Sequence, residues 1–166
     1  MTEPSAPPNG SAPASVPGVT LRIMGQYVRD LSFENLLVQK GLAGDPEQKV
    51  SVQVNIDFRR RGGDDQYEVI TKLGVAGKAK SSGQSLFLLE IEYAALFEIH
   101  GLTDEQLRPY LLIECPRMTF PFLRSLVANM TQDAGFPPLI LDKIDFASLY
   151  RKGLERSAQS GSVGST

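Results

Sequence analysis

The 166-residue sequence predicts an α+β fold, a four-stranded antiparallel sheet with C-terminal helices packed on one of its faces. Three observations lead there. Four segments before His100 alternate apolar and polar residues with a period of two, the pattern of strands that bury one side and wet the other. The joints between the last three segments are short and rich in Gly, Ser and Asp, which suits reversals of direction. Beyond Gly101 the alternation stops, and helix start and stop signals replace it.

The first strand is read from Val19 to Glu34. Val19, Leu21, Ile23, Tyr27, Leu31 and Phe33 occupy its odd positions, and Thr20, Arg22, Gln26, Asp30, Ser32 and Glu34 its even ones. A looser segment, Asn35 to Gln48, contains Leu36, Leu37, Val38 and Leu42, more aliphatics than a loop carries unless it covers something. Val50, Val52, Val54, Ile56 and Phe58 mark the second strand. The Arg59–Asp65 stretch then turns the chain into a third, with Tyr67, Val69, Thr71, Leu73 and Val75 on one side. After a turn at Ser81–Gln84, the fourth strand has Phe87, Leu89, Ile91, Tyr93, Ala95 and Phe97 at odd positions. Thr103 and Gln106 fit a capping box that opens a helix running to Glu114, irregular at Pro109. Further helices are expected over Thr119–Ala134 and Asp145–Arg156, the first with its start bracketed by Pro116 and Pro121, with Phe122, Leu126 and Met130 in series and with Gly135 as its stop. Few charges lie between Cys115 and Leu141, so this region is expected to be buried on more than one side, by self-association or an apolar partner.

Composition narrows the function. With 42% hydrophobic residues the chain can build one core, read as a single domain over 19–156. A disordered Pro-rich tail is expected over 1–18 and a mobile Ser/Gly-rich one over 157–166. The first tail lacks the basic and apolar regions of a secretory signal, which points to the cytoplasm. A net charge of −2 gives no footprint for nucleic acid, and Asp57, Asp64 and Asp65 offset the Arg59–Arg61 run. Cys115 and His100 are each alone in their type. A Cys/His nucleophilic pair is formally possible, but a lone cysteine is more often a small buried thiol. No metal site, cofactor or nucleotide motif is expected, and no enzymatic activity. What stands out is the acidic set Asp30, Glu34, Glu90 and Glu92 on the even side of the first and fourth strands. If helices cover the odd side, these residues form a flat negative surface open to solvent.

Several strings resemble the SecB protein-export chaperones. The octet Tyr27-Val28-Arg29-Asp30-Leu31-Ser32-Phe33-Glu34 looks like that family's first-strand motif. Cys115-Pro116, Phe120-Pro121-Phe122 with Arg124, Gly135-Phe136-Pro137, and Asp145-Phe146-Ala147-Ser148-Leu149-Tyr150 follow its C-terminal signature in order and spacing. The resemblance implies a tetramer, a dimer of dimers, that holds unfolded secretory precursors without ATP and delivers them to the SecA motor. It places motor contact at Asp30, Glu34, Leu88 and Glu90, three of them already in the acidic set. It also suggests a client groove bordered by Leu36, Leu37, Val38 and Leu42 with Phe146, Leu149 and Tyr150. Two departures are visible: the chain has no tryptophan, and Lys143 stands where relatives commonly have proline. A same-fold chaperone dedicated to an antitoxin or another cytoplasmic client, or a plain dimerisation module, is the alternative reading.

Overall fold

The computed structural model describes residues 16–41 and 47–161. The alternating segments form β1 (Thr20–Asn35), β2 (Gln48–Arg60), β3 (Gln66–Ala79) and β4 (Ser85–His100). All pairings are antiparallel and the spatial order is β1-β4-β3-β2, so β3 and β4 are central while β1 and β2 are edges. The register pairs Tyr67 with Phe97, Val69 with Ala95, Leu73 with Ile91 and Val75 with Leu89, which gathers the odd positions of both central strands on one side. Those side chains are almost fully buried. Each large one contributes roughly 1.5–3 kcal/mol by leaving water.

Their cover is helical. The capping box forms as expected: Thr103 Oγ1 accepts from the Gln106 N–H at 3.3 Å, and Gln106 Oε1 accepts from the Thr103 N–H at 3.1 Å. The box starts α2 (Asp104–Pro109). The chain does not break before the next helix, as the prolines led us to expect. It passes through a wide π turn, Tyr110–Glu114, straight into α3 (Cys115–Asp133). In that turn the Cys115 N–H bonds the carbonyl of Tyr110, five residues back. The extra residue in the turn relieves the crowding that the Pro116 ring imposes on the preceding turn. The buried stripe of α3 is Thr119, Phe120, Leu123, Val127 and Thr131 rather than the Phe122, Leu126, Met130 series. Leu126 and Met130 flank that stripe half-buried, and Phe122 is 54% exposed.

Gly135 ends α3 at φ +88°, a conformation that suits glycine, and the Phe136 N–H bonds the Thr131 carbonyl at 3.0 Å. This turn drops Phe136 onto Phe87, with ring centres 5.0 Å apart, and Phe33 stacks on Phe87 at 5.6 Å. Thr131 Oγ1 then accepts the Leu139 N–H at 2.9 Å and ties the following extended segment to the helix. Gly77 lies beneath the same aromatic group, where a β-carbon would overlap the Phe87 ring.

Other expectations need correction. Leu36–Gln39 is a short helix, α1, rather than loop: Asn35 Oδ1 accepts the Val38 N–H at 3.3 Å while Asn35 Nδ2 donates to the Ala134 carbonyl at 2.9 Å. The last helix, α4 (Phe146–Gly161), extends past Arg156, so Ser157–Gly161 is helical and not part of a mobile tail. Ser157 and Ser160 donate to the carbonyls of Gly153 and Arg156, which suits them to the final turns. Val16–Gly18 form a turn, with the Val19 N–H bonded to the Val16 carbonyl at 3.1 Å; the rest of the expected N-terminal tail lies outside the described residues. In β1, bulges at Met24 and Arg29 break the strict alternation. Tyr27 therefore pairs with Ala94 on the side away from the helices, and Gln26 and Val28 take the helix side.

At the far end of β4, His100 Nδ1 lies 2.9 Å from Asp65 Oδ2 and Nε2 lies 3.5 Å from a Glu98 oxygen. The bond to Asp65 raises the His100 pKa above its ordinary value, with Glu98 adding to the effect. A raised folded pKa stabilises the fold below the unfolded value of about 6.5 and loses that contribution as pH climbs through the folded value. His100→Gln is expected to lower the urea midpoint at about pH 6 and to converge on the wild type above neutrality. Gly77→Val is expected to cost about 1–3 kcal/mol in the same titration, because the Phe33–Phe87–Phe136 group must move.

Candidate functional site

The side of the sheet away from the helices carries the even positions of β3 and β4. Its rows across the sheet can be read from the register. Glu34 pairs with Leu88, Ser32 with Glu90 and Asp30 with Glu92, so the acidic residues of β1 and β4 form one patch around Ser32. Gly74 continues the Glu90 row and Lys72 the Glu92 row. Because Gly74 adds no side chain, the sheet dips there. The shallow depression of about 240 Å³ is bordered by Asp30, Glu90, Glu92, Gln53, Asn55 and Lys72.

The four carboxylates are not equivalent. Glu92 is held by Lys72 Nζ at 3.3 Å and Arg29 Nη1 at 3.6 Å. Asp30, Glu34 and Glu90 are exposed, and among the described residues no ion pair engages them. Glu92 thus spends its charge within the chain, and the other three are left to face a partner. Leu88 supplies an aliphatic contact beside Glu34.

The patch rests on a polar base that alternation alone did not reveal. Glu68, on the same side, has a side chain 1% exposed. It accepts from the Tyr27 hydroxyl at 2.7 Å, pairs with Arg61 at 2.6 Å and lies 3.8 Å from Arg29. Burial and this bond hold the Tyr27 phenol above its usual pKa. Arg29 lies between Glu68 and Glu92, so the bulge that displaces it couples the buried carboxylate to the acidic patch. The sequence signal is the Tyr27–Arg29 spacing, readable only once the bulges are known.

The suggested groove residues do not converge within one chain. Leu36 and Leu37 are half-buried, with Leu37 packed on the main core; Val38 is 68% exposed; Leu42 lies outside the described residues. Phe146 is 2% exposed, with its ring edge-on to Phe120 at 5.8 Å, so it belongs to the core rather than to a groove wall. Leu149 and Tyr150 line a cleft of about 220 Å³ between α4, the π turn and β2, together with Val54, Ile56, Leu112 and Leu154. The strand order explains the separation: α1 follows β1 at one edge, and this cleft is at the β2 edge.

Cys115 is fully buried in the second cluster of the core, among Tyr67, Phe97 and Leu111. Desolvation pushes its thiol pKa far up, Glu114 adding to the shift, so the reactive thiolate is suppressed. His100 sits at the exposed strand end, bonded to Asp65. The two do not form a nucleophilic pair.

The architecture is that of a SecB-like chaperone. A Mycobacterium tuberculosis SecB-like chaperone, solved with a ChAD peptide from the HigA1 antitoxin, superposes with a TM-score of 0.62 at 17% identity, covering 75% of this chain and 90% of its own. The family model for the preprotein translocase subunit SecB matches residues 15–157. The protein-export protein SecB of a Ruegeria species is 52% identical over 150 residues, 89% of this chain and 92% of the relative. Its counterparts in Ruegeria pomeroyi and Roseobacter denitrificans are 49% and 51% identical; the alignments cover 89% and 84% of this chain, and 90% and 84% of theirs. The chain belongs to the SecB family, and its role is that of a SecB chaperone in protein export.

Cys115 is expected to resist a thiol reagent in the native protein and to react at once in denaturant. Rapid labelling under native conditions would show that the core around it opens.

Proposed function

We propose that this chain is an ATP-independent holdase that binds unfolded secretory precursors in the cytoplasm and hands them to the SecA motor. The observation that carries the motor contact is the adjacency of Asp30, Glu34, Leu88 and Glu90 on the uncovered sheet face, where three carboxylates have no partner among the described residues. Such a surface suits a basic partner that docks quickly and with salt-sensitive affinity. The relatives at about half identity are export proteins, which favours this reading over a client-dedicated chaperone. Among the described residues no helix is long and apolar enough to cross a membrane.

The assembly we propose is a dimer of dimers. Two exposed apolar surfaces support it. On the edge strand β1, Ile23, Met24, Tyr27 and Val28 are 36–43% exposed, a long apolar edge that natural proteins normally cover by pairing. On α3, the Phe122, Leu126, Met130 series offers a second apolar stripe beside the one already buried on the sheet. Without a nucleotide cycle, affinity for clients has to come from many weak apolar contacts. Several linked sites can raise it by about 10² to 10⁴ over one, provided a client spans them. Within each chain, Leu149 and Tyr150 in the β2-edge cleft and Val38 on α1 are among the apolar groups such a client could meet.

Asp30→Lys and Glu90→Lys are each expected to weaken SecA binding by about tenfold or more, with native mass and suppression of client aggregation unchanged. Titration of labelled variants with SecA measures this, and unchanged affinity in both would overturn the assignment. A native mass of a single chain that leaves aggregation untouched would overturn the holdase reading as a whole.

A further inference from the structure

The uncovered sheet face carries a positive charge at the margin of its acidic patch that the docking assignment leaves unexplained. Arg29 sits at a β1 bulge directly before Asp30, yet among the described residues it forms no ion pair with Asp30, Glu34 or Glu90. Its guanidinium spans instead from Glu68, 3.8 Å away, to Glu92, 3.6 Å away, and the side chain is only 25% exposed. Glu68 is on β3, across β4 from Arg29, so the buried carboxylate draws the cation inward over the sheet. Ala94, the β4 residue between Tyr27 and Ile70, is small and fully buried, which leaves a path for longer side chains to lie across it. Glu68 is compensated even without Arg29, because the Tyr27 hydroxyl donates to it at 2.7 Å and Arg61 pairs with it at 2.6 Å. Glu92 likewise has Lys72 at 3.3 Å. Neither carboxylate depends on Arg29 for its neutralisation, so the place of this cation matters most for the charge that the face presents.

We propose that Glu68 is a positioning residue for motor docking: by holding Arg29 inward it keeps that cation off Asp30, Glu34 and Glu90 and so sets the net charge of the docking face. The inference rests on the docking assignment above and adds its control. A guanidinium released from Glu68 has the Asp30–Glu92 pair beside it, and turning toward that pair cancels part of the field that attracts a basic partner. Removing the guanidinium altogether does the opposite. The two substitutions therefore shift affinity in opposite directions. Damage to the fold would weaken binding in both, so the signs separate positioning from plain support of the sheet.

The test titrates the labelled full-length protein with SecA over a range of salt concentrations, each variant first matched to the wild type in native mass. Arg29→Gln, in which the Arg61–Glu68 and Lys72–Glu92 pairs remain, is expected to bind about two- to fivefold tighter, with a steeper salt dependence. Glu68→Gln, which can still accept the Tyr27 hydroxyl, is expected to bind about two- to fivefold more weakly, with a shallower one. Because Glu68 acts through Arg29, the double variant is expected to bind like Arg29→Gln alone. Arg29→Lys, which keeps the charge, is expected to stay within about twofold of the wild type. Unchanged or weaker binding by Arg29→Gln, while Asp30→Lys still weakens SecA binding, would overturn the inference and leave the docking assignment standing. A double variant as weak as Glu68→Gln would also overturn it, since Glu68 would then act through the fold and not through Arg29. Should Glu68→Gln fail to assemble, Arg29→Gln decides alone. If neither Asp30→Lys nor Arg29→Gln changes the affinity, SecA docks elsewhere, and the inference falls together with the docking assignment.

Discussion

The structure depends on one packing arrangement, the odd-numbered side of β3 and β4 pressed under the continuous α2–α3 helical run. Phe87, Leu89, Ile91 and Phe97 supply the sheet side of that contact, and Leu111, Cys115, Leu123 and Val127 the helix side. A four-stranded sheet has two sides, and this helical cover reaches only one. The other must be wetted or occupied by a partner, and the polar and acidic residues at its even positions suit it to both. The same constraint leaves β1 and β2 as edges, because the cover lies over the middle strands and not around them.

Around this core the details divide into devices that keep the cover in place and devices that shape the uncovered side. The π turn, the Thr131 bond to Leu139 and the Phe33–Phe87–Phe136 group belong to the first kind, since each holds the helical layer over the sheet. The β1 bulges and the buried Glu68 belong to the second. By displacing Met24 and Arg29, the bulges bring Tyr27 to the outer side, where its hydroxyl and two arginines compensate a carboxylate that would otherwise be costly to bury. Arg29 also reaches Glu92, and together with the nearer Lys72 it offsets one of the four negative charges of the outer patch. The acidic surface is therefore set by which carboxylates lack a neighbouring cation, not by how many there are.

Much of the sheet was readable from the chain because its odd and even positions face such different surroundings. The four strands and the Thr103 capping box came directly from alternation and local side-chain chemistry. The helical region was less legible. Pro116 and Pro121 read as boundaries, yet the burial of Phe120 and Leu123 on the sheet keeps the helix continuous through them. The Phe122, Leu126 and Met130 series is visible in the chain, but a helix with two apolar stripes does not say which one meets its own sheet, and here it is the Phe120, Leu123 and Val127 stripe. The acidic patch was legible in part, as Asp30, Glu34 and Glu90 share parity, but the pairing of Glu92 with Lys72 and Arg29 was not.

The groove shows the limit most clearly. Phe146 and Tyr150 are four residues apart and both aromatic, yet one is sealed against Phe120 and the other lines an open cleft. Nothing local separates them. The chain by itself determined the strands, the capped helix start, the family signature and the even-side acids, because each depends on residue type and short-range spacing. Only the tertiary structure decided which apolar residues are spent on the core, which carboxylates are neutralised, and that Leu36–Val38 and Leu149–Tyr150 lie at opposite edges. Those outcomes depend on strand order, bulge positions and helix continuity, which arise from contacts between residues far apart in sequence.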